Sequence, residues 1–358
     1  MTNCPRSVAI IGAGMAGLAA ARRLCDEGMA VRVFEANDKV GGCCATTRIG
    51  GYAFNDGAVY LAMPGMLDHL FEALRLNRNA LLPLRRISSM QSATLPDGTI
   101  VDIRSGPEVV IQSAKGGVAT ARVQAEVGDF LNKWESTLRF FEDDILVHPL
   151  SLSRLLARGW RHLARLRGTA ASHLNRSFTS EAVRAAFGGA LLYAGAPPDR
   201  LPAASLLGLA AMLRDGYFLP EGGMGRIPEV LSAAVRAQGG SIHLNSAIGR
   251  ILVRNGRVRA IEVENEGVVE AEAVISSVSA MHTYGKLLSG HDVPSGMLRK
   301  VRRAPLSHRG FVLQLGLANR IDARSHVNCT IPWLDEQWQV FQEGGGDVRW
   351  STYTVPTV

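Results

Sequence analysis

The stretch Gly12-Ala13-Gly14-Met15-Ala16-Gly17 constrains this chain more than any other, because of what flanks it. Before it, Ser7 to Ile11 is a short apolar run of buried-strand type. After it, Leu18, Ala21 and Leu24 recur at helical spacing as far as Glu27. A turn at Gly28 leads into a second strand-like run, Ala30 to Phe34, closed by Glu35. Strand, glycine turn, helix and strand, with an acid roughly twenty residues past the glycines, is the pattern of a dinucleotide-binding βαβ unit. Gly12 permits the tight turn, Gly14 lets backbone approach a pyrophosphate, and Gly17 lets the helix sit close to the sheet. Met15, Ala16 and Gly17 open the helix, whose free N–H groups and partial positive charge suit phosphate oxygens. Glu35 suits a ribose hydroxyl pair and disfavours a 2′-phosphate, which argues against NADP.

The 358 residues suffice for two domains, and 47% hydrophobic with 20% charged residues is a globular composition. Five cysteines, Cys4, Cys25, Cys43, Cys44 and Cys329, are odd in number and unevenly spaced, so no disulfide framework is expected. That points to a reducing compartment and a cytoplasmic location. Arg6 before an apolar run resembles a signal peptide. The run continues through Arg22, Arg23, Asp26 and Glu27 into another strand, however, and the secretory reading is the weaker one. No apolar stretch long enough to span a bilayer is expected.

Beyond Glu35 and Ala36 come Gly41-Gly42-Cys43-Cys44, then Thr46, then Gly51-Tyr-Ala-Phe54-Asn55-Asp56-Gly57-Ala58. Together with the glycine turn, this resembles the FAD-dependent amine oxidase and phytoene desaturase superfamily. Gly-Gly-Cys-Cys looks most like its carotenoid desaturase, carotenoid isomerase and retinol saturase branch. The resemblance implies FAD as cofactor. It also implies that Ala36, Gly41, Gly42, Cys43, Gly57 and Ala58 run along the pyrophosphate towards the flavin. The two cysteines then act as small apolar residues beside the cofactor. A zinc site would need two separated pairs or histidines at ligand spacing, and no metal is expected. One position departs from the family: its acid after Phe is Asn55 here, with Asp56 following.

The resemblance resumes at Pro220-Glu-Gly222-Gly223-Met-Gly225, followed by a helix over Ile227–Gln238 and a strand over Ser241–Leu244. Ala247–Val253 resembles the strand whose backbone meets the adenine, which singles out Ile248. A hairpin through Asn255-Gly256 and a returning strand, Ala271–Ser277, complete the pattern. The expected architecture is α/β and discontinuous: a Rossmann-like FAD-binding domain (1–62 and 216–290) with an inserted α+β substrate domain (63–215 and 291–358). Within the latter the patterns predict helices at Leu67–Leu76, Ala119–Phe141 and Glu181–Tyr193 and a hairpin at Asp97-Gly98. They also predict strands at Arg309–Leu317 and Val348–Val358. The family's closing glycine-rich segment has no counterpart, since Gly344–Gly346 leads into a strand pattern. From this follow the expectations of an unpaired strand beside the glycine-turn strand and of weak FAD binding.

Residues 151–176 carry Leu152, Leu155, Leu156, Trp160, Leu163 and Leu166. They also carry six arginines (Arg154, Arg158, Arg161, Arg165, Arg167, Arg176) and no acid, against a formal net charge of +7. The spacing predicts one amphipathic helix, packed on the core by its leucines or lying on a membrane surface. Nucleic acid is a poor fit, because the charge is local and no reader motif accompanies it. The function implied is an FAD-dependent oxidoreductase that desaturates, saturates or isomerises C–C bonds of an apolar polyene or isoprenoid. Two alternatives are a flavin amine oxidase and a truncated non-catalytic flavoprotein or subunit needing a partner chain. No catalytic residue is legible. Tyr60 and His308-Arg309 are candidates to face the ring, with structural roles favoured. The lysines (Lys39, Lys115, Lys133, Lys286, Lys300) are too few and scattered to mark an amine site.

Overall fold

Ser7–Ile11 (β1) is apolar on both faces, with Val8, Ala9 and Ile10 at most 2% exposed, and it lies between two parallel neighbours. The computed structural model describes residues 6–113, 120–149, 151–304, 312–319, 321–341 and 350–355. Cys4, Lys115, His308-Arg309 and Gly344–Gly346 lie outside them. Two compact units are present, both discontinuous along the chain. The first is Met1–Val59, Leu70–Leu84 and Leu219–Leu306; the second is Tyr60–His69, Arg85–Phe218 and Ser307–Val358.

In the first unit β1 pairs in parallel with Ala30–Phe34 (β2) from Ser7↔Ala30 to Ile11↔Phe34. On its other side it pairs with Ala273–Ser276. Ser241–His243 adds a fourth parallel strand outside β2. Among the described residues the far edge of Ala273–Ser276 pairs with no further strand, as expected of the strand beside the glycine-turn strand β1; Ser241–His243 is the other outer strand. The crossover helix Met15–Asp26 (α1) buries Leu18 and Ala21 as the spacing predicts, with Cys25 buried in place of the expected Leu24, which is half-buried. It packs on helix Arg226–Ala237. A three-stranded antiparallel sheet, Ile248–Arg254, Arg257–Val263 and Gly267–Glu270, follows. Its first hairpin turns at Asn255 and Gly256, both at positive φ, which matches the twist of the strands. Ile251, Ile261 and Val263 from this sheet form one core with Ala9, Ile11 and Phe34. The result is a Rossmann-like α/β fold.

The second unit holds a five-stranded sheet in the order Ser351–Thr354, Val327–Thr330, Ser89–Thr94, Ile100–Arg104, Glu108–Gln112. The predicted hairpin closes through Asp97 and Gly98, where Asp97 Oδ1 accepts the Thr99 N–H at 2.9 Å. Helices Thr120–Phe140, Ala170–Ser177, Glu181–Leu191 and Leu206–Asp215 accompany it. Phe130 and Trp134 from the first, Phe187 from the third, Leu206 and Leu213 from the last and Phe178 just after the second are buried in the core of the unit.

Two expectations are corrected here. Of Arg309–Leu317, the described part (312–317) forms no strand and is exposed throughout; of Val348–Val358, only Ser351–Thr354 is strand. The single helix over 151–176 is instead broken into Leu152–Arg154, a wider i→i+5 turn Leu155–Gly159, Trp160–Leu163 and the separate helix Ala170–Ser177. Glycines stand at both breaks. A Cβ on Gly159 would meet the Phe140 ring at 3.3 Å, and Gly168 sits at φ +85° just before the Thr169 cap.

Candidate cofactor site

The glycine turn is built by its neighbours. Gly12 sits at φ +96°, and a Cβ there would stand 2.6 Å from Ser277 Oγ. That hydroxyl donates to the carbonyls of Ile11 (2.9 Å) and Gly12 (3.1 Å), so the returning strand pins the turn. A Cβ on Gly17 would overlap the Gly12 carbonyl oxygen, the close helix–strand approach expected of the third glycine. Gly14 differs from both. Its φ is −74°, and among the described residues no atom beyond its chain neighbours lies within 4 Å of where a Cβ would stand. Neither conformation nor protein packing requires glycine there. No side chain caps α1 at Gly14 and no acid occupies its first turn, so the N–H groups of Met15, Ala16 and Gly17 are left to an external acceptor.

A second backbone segment lies against this turn. Gly41 N–H donates to the Ala13 carbonyl at 2.9 Å, and Gly14 and Gly41 form an isolated parallel bridge. A Cβ on Gly42 would be 3.5 Å from Gly14 Cα. Only glycine keeps two chains this close while leaving the face over Gly14 open. The cysteines follow in a short turn, Gly42–Cys44. The Cys43 carbonyl accepts the Ala58 N–H at 2.8 Å, and a Cβ on Gly57 would stand 2.7 Å from that same oxygen. Cys43 is exposed and Cys44 half-buried, both as free thiols. Burial pushes the Cys44 thiol up, and neighbouring Cys43 adds to the shift, so Cys44 is poorly disposed to act as a thiolate ligand. Among the described residues no group of three His, Cys, Asp or Glu side chains could hold a metal ion.

Glu35 is buried, and its Oε2 accepts the Ala13 N–H at 2.8 Å. Its Oε1 accepts from the Asn37 backbone (3.0 Å) and side chain (2.7 Å). The acid thus holds the turn in place, and Oε2 retains lone-pair capacity for a ribose hydroxyl. Ala36, next to it, is exposed. Ser246 N–H donates to the Glu35 carbonyl (2.8 Å) and Asn245 N–H to that of Asn37 (2.9 Å), which lays the start of strand Ile248–Arg254 beside Glu35. The Ile248 side chain belongs to the core with Phe34 and Val263, so what it can offer a ligand is backbone.

Three features escaped the sequence reading. Ser277 is one, noted there only as the end of a strand. Asn55 is the second: its Oδ1 accepts from Thr46 Oγ1 (3.0 Å) and from the Met224 N–H (3.2 Å), while Thr46 Oγ1 accepts the Gly225 N–H (2.9 Å). The residue that departs from the family's acid therefore caps the Gly222–Gly225 turn, a job for an acceptor with or without charge. Asp56 is the third. It pairs with Lys39 at 2.6 Å and accepts from Thr47 Oγ1 at 2.9 Å. Burial alone would raise its carboxyl, but the bonds from Lys39 and Thr47 outweigh it and hold Asp56 below the usual carboxylate range.

Gly12 to Gly17, Glu35, Gly41 and Gly42 thus come together around the open space over Gly14, with the Cys43 carbonyl held against Gly57 and Ala58 and the segment leading to Ile248 beside Glu35. Open space in front of a helix N-terminus suits a phosphate, and the Glu35 carboxylate suits a ribose hydroxyl. Residues 15–307 match the model of the flavin containing amine oxidoreductase family.

The chain belongs to that family. Its cofactor is FAD.

The zeta-carotene-forming phytoene desaturase of Myxococcus xanthus is 28% identical over 337 residues, covering 90% of this chain and 62% of that protein. The 4,4'-diaponeurosporene oxygenase of Staphylococcus aureus (strain USA300) is 23% identical over 354 residues, covering 94% and 69%. An oxidoreductase from Methanosarcina mazei superposes with a TM-score of 0.55 over 83% of this chain and 65% of that one; at 19% identity the likeness speaks for the fold alone. The chain thus spans about 62% of the length of the myxobacterial relative.

Proposed function

We propose that this chain forms the FAD-binding part, with much of the substrate domain, of an oxidoreductase that desaturates, saturates or isomerises C–C bonds of an apolar polyene or isoprenoid. The observation that carries this reading is the phytoene desaturase similar to it over 90% of its residues. In it, the N–H groups of Met15, Ala16 and Gly17 hold the pyrophosphate over Gly14, and Glu35 takes the adenosine ribose. The Ile248 backbone lies along the adenine. Gly42, Cys43 and Ala58 lead towards the flavin, where small side chains exclude water without crowding the ring. Bound FAD supplies a hydride acceptor and donor at N5. No side chain of this chain is assigned a proton-transfer role. Tyr60 stacks on Tyr217 at a centroid distance of 3.6 Å, and burial pushes its hydroxyl up, which makes it a poor base.

The amine oxidase reading ranks second, because Lys39, close in sequence to the glycine pair, is engaged with Asp56 and Thr47. A polyene substrate partitions into bilayers, so the reading includes a peripheral position at a membrane surface. Among the described residues no helix is long and apolar enough to cross a membrane. The test is a visible spectrum of the purified chain titrated with FAD, followed by anaerobic incubation with phytoene or with amines. Bleaching of bound flavin by phytoene supports the reading; bleaching by amines alone replaces it with the second.

A further inference from the structure

The segment Leu152–Leu163 sits on the second unit the opposite way round from its sequence pattern. A soluble amphipathic segment turns its leucines inward and its arginines to water. Here the polar side makes the bonds to the rest of the unit, although the Arg158 side chain itself stays 66% exposed. Arg158 bonds Asp144 Oδ1 at 2.9 Å, and His162 Nδ1 lies 3.0 Å from Thr137 Oγ1 with its ring stacked on Phe140 at 4.7 Å. Arg165 donates to Thr137 Oγ1 at 2.6 Å and to Ser136 Oγ at 3.0 Å. Gly159 is buried beneath Phe140. Four of the six leucine and tryptophan side chains between residues 152 and 166 face out, Leu152 at 72% exposed, Leu156 at 67%, Trp160 at 62% and Leu163 at 61%, while Leu155 is 37% exposed and Leu166 half-buried. Their spacing (152, 156, 160, 163) makes one stripe.

The surroundings of this stripe are cationic. From Ile145 to Ser180 there is no Asp or Glu, and Arg161, Arg167 and Arg176 are exposed. Another exposed apolar run among the described residues, 312–317, carries no cation within it. Leucines and a tryptophan at the surface with arginines beside them match the interface of an anionic bilayer. There the apolar side chains enter the acyl boundary, the indole sits at headgroup level and guanidinium groups meet lipid phosphates.

We propose that residues 152–163 form a docking face for an anionic membrane, with Leu152, Leu156, Trp160 and Leu163 inserted and Arg161 and Arg167 on the headgroups. The proposal deepens the peripheral reading above and does not depend on which polyene is turned over. It is tested by flotation of the FAD-supplemented chain with phosphatidylcholine vesicles, with and without about a third phosphatidylglycerol. The expected result is binding to the anionic vesicles that weakens with salt. Leu156→Glu with Trp160→Glu lowers it at least about tenfold, from the lost apolar insertion. Arg161→Glu with Arg167→Glu lowers it by an order of magnitude or more, at about fivefold per arginine removed. Trp160→Phe removes the blue shift of tryptophan emission on binding. Circular dichroism checks that each variant is folded.

Three results overturn the proposal: no binding to anionic vesicles, binding that these substitutions leave unchanged, or a self-associated chain that Leu156→Glu with Trp160→Glu converts to monomer, which assigns the face to a second copy. Vesicle binding without phytoene turnover counts against the substrate reading alone. Turnover without vesicle binding counts against the docking face alone.

Discussion

Gly14 and Gly17 are chemically identical and do opposite things. A methyl group on Gly17 collides with the Gly12 carbonyl, a backbone atom that cannot move without shifting β1 or α1. Gly17→Ala is therefore expected to destabilise the first unit by about 1–3 kcal/mol and to abolish flavin binding with it. A methyl on Gly14 meets no atom of the described residues beyond its chain neighbours and needs no unusual backbone. Gly14→Ala should leave the melting temperature of the FAD-free chain unchanged or slightly raised while FAD affinity drops at least tenfold. Thermal denaturation paired with FAD titration separates the two cases, and a large loss of stability in Gly14→Ala would sink the assignment of that open space to a ligand. Asp56 gives a pH signature. Its folded carboxyl is held low by Lys39 and Thr47, so its stabilising contribution is complete above the ordinary carboxylate value. That contribution is lost as pH falls through the depressed folded value. Asp56→Asn should flatten the acid limb of the stability curve; an unchanged limb would show that the Lys39 pair contributes nothing.

At the scale of elements, helix Thr120–Phe140 runs on as a wider i→i+5 turn, Phe141–Leu146, that carries an ion pair. Arg214, at the end of helix Leu206–Asp215, bonds both oxygens of Glu142 at 2.9 and 2.6 Å, and Asp215 besides. Glu142 is 9% exposed. Arg214→Met leaves that carboxylate buried and without its cation, at an expected cost of roughly 3–5 kcal/mol in urea denaturation. Glu142→Gln together with Arg214→Met should recover much of it, because a buried pair removed whole costs little. The 151–177 stretch shows where periodicity stops informing. Leu152, Leu155, Leu156, Trp160, Leu163 and Leu166 define an apolar face in sequence. Leu152, Leu156, Trp160 and Leu163 nonetheless stay exposed, because Arg158 and His162 on the other face bond Asp144 and Thr137, 14 and 25 residues earlier. His162 stands among them, its imidazole lowered by burial and by Arg165 and Arg161.

For the whole molecule, two units with separate cores predict a localised response to ligand. FAD should slow hydrogen exchange at residues 12–17, 35–43 and 246–250 and leave the strands Ser89–Thr94 and Ile100–Arg104 unchanged. Uniform protection, or none at the glycine turn, would refute the site as drawn. The glycine turn, its strands and helix, Glu35, and the Asn255-Gly256 and Asp97-Gly98 hairpins were all legible in the amino acids. Each is fixed by local physics: backbone conformations that favour glycine or asparagine, a 3.6-residue apolar period, an acid at a strand end. Tertiary structure alone decided the rest. It placed Ser277 under Gly12, Asn55 beneath the Gly222–Gly225 turn, Ala273–Ser276 at the edge of β1 and the leucines of 152–163 in water. These depend on which distant segments meet, and no local period or spacing encodes a contact made across two hundred and more residues of chain, as between Ser277 and Gly12.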